Sequence, residues 1–86
     1  MARGTLLSLM SETPVEQARR HIREGEARIQ RQIELLAELE RDGHYEAARR
    51  ARELLSTMTE TLAVARRHLE TEQQLQARGV RERSTR

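Results

Sequence analysis

Apolar and small residues recur along this chain at alternating intervals of three and four, at positions 15, 18, 22, 25, 29, 32, 36 and 39, and again at 48, 51, 55, 58, 62, 65, 69 and 72. An average spacing of 3.5 residues keeps one seam of a helix turned toward a partner, so each run predicts an amphipathic helix with coiled-coil-like packing. The pattern is broken once, at Asp42-Gly43-His44, where a tight turn can reverse the chain. The expected fold is all-α: an antiparallel two-helix hairpin, with a helix over 13–42, a turn at 42–44 and a helix over 45–77.

The helix ends carry their own signals. Thr13-Pro14-Val15-Glu16 has a hydroxyl able to cap the amide of Glu16, a glutamate able to reach back to the Thr13 amide, and a proline at the first helical position. Gly43 supplies the left-handed residue that closes such helices. Glu46 is well placed against the N-terminal dipole of the second helix, and Gly79 is expected to follow that helix's end. These signals divide the chain into an extension over 1–12, expected to be disordered, a hairpin over 13–78 and a basic tail over 79–86. Met10 reads as a native start, which sets residues 1–9 apart from the folded unit.

Folding the two runs back on each other predicts an antiparallel register. Leu39 faces Ala48, Leu36 faces Ala51, Ile29 faces Met58, Gly25 faces Leu62, Ile22 faces Ala65 and Ala18 faces Leu69, with Leu55 opposite Gln32. Large residues repeatedly oppose small ones, which lets side chains interdigitate at interior density. A mid-helix glycine costs roughly 1 kcal/mol relative to alanine, so Gly25 makes sense if it leaves room for Leu62. Gln32 either fixes register from within the seam or reaches water from its edge.

One seam does not use all the leucines. Leu35, Leu54 and Leu75, with Ala47, share a single flank, where the register places Leu35 beside Leu54 and Pro14 near Leu75. The opposite flank, with Arg19, Glu26, Arg52, Thr59 and Arg66, is polar apart from Ile33. A chain this short has little interior, so the leucine flank is expected to be covered by a second copy, giving a twofold dimer and a four-helix bundle. The competing occupants are an unidentified protein partner and residues 5–10 of this chain folding over the flank.

Composition narrows the chemistry. Among 86 residues, 36% are hydrophobic, 35% are charged and one, Tyr45, is aromatic, a helix-rich balance that disfavours a sheet. All basic residues are arginine. The net charge of +2 hides an asymmetry: residues 1–75 are close to neutral, while Arg78, Arg81, Arg83 and Arg86 face only Glu82. Nucleic acid is therefore the weaker candidate partner, reached through the tail. No cysteine is present, which excludes disulfides, thiolate metal sites and cysteine nucleophiles. The run Thr5 to Met10 is too short for a signal-peptide core or a membrane span, so a cytoplasmic protein without a membrane role is expected.

His21 and His68 fall on the leucine flank of opposite helices, with Glu24 and Glu72 within one turn. Two neighbouring imidazoles resist being charged together, which makes them a candidate pH-sensitive pair. His-Glu-x-x-His spacing is absent and no metal is expected. Ser56, Thr57, Thr59 and Thr61 have no acid, histidine or glycine-rich turn placed to activate them, so neither catalysis nor a cofactor is expected.

Gly43-His44-Tyr45-Glu46-Ala47-Ala48 resembles the turn and helix start of tetratricopeptide repeats. Those repeats recur about every 34 residues with shorter helices, so the likeness is one of turn chemistry. As a whole the chain resembles the short helical-hairpin proteins of bacteria, a resemblance that implies the fold and no activity, ligand or functional residue.

Overall fold

A computed structural model describes residues 12–84, with side-chain placement through Gly79. Among the described residues there are two helices: α1, Pro14–Arg41, and α2, Tyr45–Ser84. They pack against each other as a hairpin. The radius of gyration is 18.7 Å and the long axis 65 Å, where a globule of this length would have a radius near ~12 Å. The molecule is a rod, and a rod of two helices has almost no interior.

Local chemistry accounts for each end of α1. Thr13 is extended (φ −75°, ψ 161°), its Oγ1 accepts from the Glu16 amide at 3.0 Å, and Pro14 occupies the first turn. The expected return bond from the Glu16 side chain to the Thr13 amide is absent among the described residues; the Thr13 carbonyl instead takes the Gln17 amide at 2.9 Å. At the other end Gly43 adopts φ +75°, a left-handed conformation that glycine enters without a Cβ penalty. The His44 amide then reaches the Leu39 carbonyl at 2.9 Å and the Gly43 amide reaches Glu40 at 3.2 Å. This is the Schellman arrangement, and it satisfies carbonyls that the end of a helix would leave free. The His44 carbonyl accepts the Ala48 amide at 2.9 Å and so opens α2 one residue after the turn closes α1.

The sixteen seam positions are all buried or half-buried. Val15, Ala18, Ile22, Ala48, Ala51 and Leu62 are the buried ones, while Gly25, Ile29, Leu36, Leu39, Leu55, Met58, Ala65 and Leu69 are half-covered. The register is set by contacts between the helices. A Cβ built on Gly25 would lie 3.1 Å from Leu62 Cδ1, so the leucine tip occupies the space the glycine leaves. Gln32 Nε2 donates to the Ala51 carbonyl at 3.2 Å, which answers where that polar seam residue goes: across to α2, one turn from Leu55. The Gly25–Leu62 approach is one of the pairings that the sequence pattern predicts.

Two boundaries differ from the sequence reading. Helix α2 does not stop at Ala77 but runs through Gly79 to Ser84. Among the described residues only Gly43 has positive φ, and Gly79 keeps helical backbone. The part of the basic tail up to Ser84 is thus helical backbone. At the other end Glu12 belongs to the folded part, held by Arg20. The rest of the expected N-terminal extension, residues 1–11, and residues 85–86 lie outside the described residues.

Candidate interaction surface

The hairpin presents two flanks, one on each side of the seam. On the first, Glu26 and Arg66 approach to 3.7 Å and Glu40 and Arg52 to 3.9 Å, joining α1 to α2 along the outside of the packed residues. Exposed ion pairs of this kind are worth about 0–1 kcal/mol each, so they close a polar surface more than they stabilise the fold. Ile33 is the one large apolar side chain exposed on this flank, at 43%.

The second flank is built differently. Leu35, Leu54 and Leu75 are 44%, 51% and 51% exposed, and Ala47 beside them is half-buried. Between Leu54 and Leu75 the surface dips into an open groove of 310 Å³ whose floor is Gly25, Leu62 and Ala65 and whose rim carries Arg28, Thr57 and Thr61. Pro14 and Leu75 line a further depression of 440 Å³ at the open end, together with Val15 and Gly79. Among the described residues no ion pair crosses between the helices on this side.

Val64, 56% exposed, was not singled out by the hairpin seam or its flanks. It lies one step farther round α2, and its neighbours on that strip are threonines. Thr57, Thr61 and Thr71 each donate their hydroxyl to the carbonyl four residues earlier, at 3.3, 3.0 and 3.1 Å. A threonine bonded in this way has its donor satisfied by its own helix and turns its methyl outward. Hydropathy patterning counts these residues as polar; their geometry makes them weakly apolar.

His21 lines the groove, whereas His68 Nε2 stands 3.8 Å from Glu72 Oε1 on its own helix. Glu24, expected near His21, gives its carboxylate to Arg20 at 3.1 Å instead. No hydrogen bond joins the two imidazoles, and no group of three or more His, Cys, Asp or Glu side chains among the described residues is arranged to hold a metal ion.

The strongest electrostatic cluster sits at the open end. Arg20 Nε donates to Glu12 Oε2 at 3.0 Å, its Nη2 to Glu12 Oε1 at 3.1 Å and its Nη1 to Glu24. The two parallel bonds form a fork on the Glu12 carboxylate, and they hold its pKa below the ordinary value while the same bonds raise that of Arg20. The clamp spans the cap of α1 and fixes how the chain enters the helix. No helix is long and apolar enough to cross a membrane among the described residues.

No protein family, curated protein or solved structure matches this chain.

Proposed function

We propose that this chain is a non-enzymatic, cytoplasmic interaction module that works by self-association through a helix face, the leucine flank being its contact surface. One observation carries the reading: three leucines stand about half exposed on a single flank, beside a groove, while two ion pairs join the helices on the other flank. Covering a leucine contributes about 1.5–3 kcal/mol, and a two-helix rod has no third element among its described residues to do so. A second copy applies the same leucines twice and completes a four-helix bundle.

The test is the mass in solution. Sedimentation equilibrium should give a dimer whose dissociation constant changes little with salt, and Leu54→Glu or Leu35→Glu should weaken it at least about tenfold while helicity by circular dichroism persists. A monomer at high concentration would remove the proposal. Retention on a DNA or heparin column that collapses with moderate salt and with removal of residues 78–86 would instead favour the arginine-rich end as a nucleic-acid contact.

A further inference from the structure

Helix α2 carries two seams. The first, which ends in Leu62, Leu69 and Glu72, faces α1. The second runs beside it with the same three-four spacing: Leu54, Thr61, His68 and Leu75 alternate with Thr57, Val64 and Thr71. No carboxylate and no arginine interrupts it between Leu54 and Leu75, a stretch of about 32 Å along the helix. Its threonine hydroxyls are bonded to carbonyls of α2 itself, so burying them leaves no donor unsatisfied. A helix with two adjacent seams is built to touch two helices, and α1 fills only one of those places.

We infer that this outer seam docks against the same seam of a second copy running antiparallel, with Thr61 against the partner's Val64 and Leu54 against the partner's Thr71. The inference rests on the self-association proposed above and adds the helix, the direction and the register. Two features of the sequence choose them. Size complementarity is the first: in this register Leu54, Val64 and His68 meet the partner's Thr71, Thr61 and Thr57, as large meets small in the seam between α1 and α2, and Leu75 lies beyond this stretch, opposite the partner's Arg50. Val64 of the partner subunit also comes to lie over Thr61, at the rim of the groove lined by Gly25 and Leu62.

Charge is the second. Along the outer edge of this seam α2 carries Glu60 and, two turns later, Arg67, both exposed and neither in an ion pair among the described residues. Antiparallel pairing brings Glu60 beside the partner's Arg67, and the twofold axis repeats the contact. A parallel copy would set Glu60 against the same residue of its partner and Arg67 likewise, which is repulsive on both counts.

Two measurements on the full chain test this. Glu60→Arg and Arg67→Glu should each weaken the dimer about five- to tenfold by sedimentation, and the double exchange should restore most of the loss. The chain has no cysteine, so engineered thiols report contacts cleanly. Mixing Leu54→Cys with Thr71→Cys protein should give a disulfide between unlike chains, whereas Leu54→Cys alone should not join to itself, because antiparallel copies hold those positions about 25 Å apart. Efficient self-linkage of Leu54→Cys, or a double exchange no better than the singles, would overturn the antiparallel register while leaving self-association intact. A wild-type monomer would overturn both.

Discussion

The two flanks of the hairpin share one backbone geometry and differ in what their residues can do alone. Where Glu26 meets Arg66 and Glu40 meets Arg52, each charged side chain has found its complement across the seam, and the surface is finished by its own chain. Across the rod, Leu35, Leu54 and Leu75 have no such complement available within the hairpin. The contrast shows that in so thin a molecule polar surface can be completed locally while apolar surface cannot. Among the described residues the two helices enclose one seam, and the second apolar stripe is left about half exposed.

Breaking what lies beneath both flanks should have the largest effect. Leu62 is buried and fills the notch at Gly25. Leu62→Ala is expected to cost about 2–4 kcal/mol by urea denaturation. Gly25→Ala sharpens the point, because alanine is favoured in a helix by about 1 kcal/mol but its methyl would stand 3.1 Å from the leucine tip. We expect it to gain little in the native background and about the full 1 kcal/mol beside Leu62→Ala, a coupling that a double-mutant cycle reads directly.

Substituting one residue on each flank separates them. Leu54→Glu should weaken assembly, whereas Ile33→Glu on the ion-paired side, similarly exposed, should leave the dimer's dissociation constant within about threefold of wild type. Equal weakening by both would mean that the flanks are not functionally distinct. Gly43→Ala comes next: at φ +75° a Cβ costs about 1–2 kcal/mol, expected as a loss of hairpin stability with the contrast between the flanks preserved. Smaller still, Glu26→Gln and Glu40→Gln should each change stability by about 0.5 kcal/mol or less, and high salt should erase even that.

Particular residues explain which of these features could be read in advance. The turn was legible because glycine at Gly43 has a single reason to be there, and the N-terminal end because Thr13-Pro14 is a cap with few other uses. The seam was legible because the spacing of sixteen positions leaves one choice of face. Gly79 misled because glycine is also tolerated inside a helix, and nothing in its neighbours separates the two conformations. The threonine strip around Val64 was hidden because residue type says that threonine is polar, whereas the direction of its hydroxyl decides whether it acts so. Glu24 was placed with His21 by proximity along the helix, but Arg20 offered it the stronger bond.

The clamp at the open end was also hidden, since Glu12 and Arg20 are joined across the helix cap rather than along a helical face. It permits a prediction that touches neither flank and so serves as their control. The Glu12 carboxyl is held below its ordinary value near 4.5, chiefly by the hydrogen bonds from Arg20. A depressed carboxylate contributes stability that is present above the unfolded-state pKa and is lost as pH falls through the lower folded value. Acid should therefore loosen the entry to α1 below about pH 4, seen as faster amide exchange near Val15 and Glu16, with Glu12→Gln abolishing that dependence. Because the clamp lies at the α1 cap, away from the ion pairs and from Leu35 and Leu54, the same substitution at neutral pH should leave the dimer's dissociation constant within about twofold of wild type. Should Glu12→Gln weaken the dimer as strongly as Leu54→Glu, the contact surface would have to include the open end, and the division between a finished flank and an open one would no longer describe the molecule.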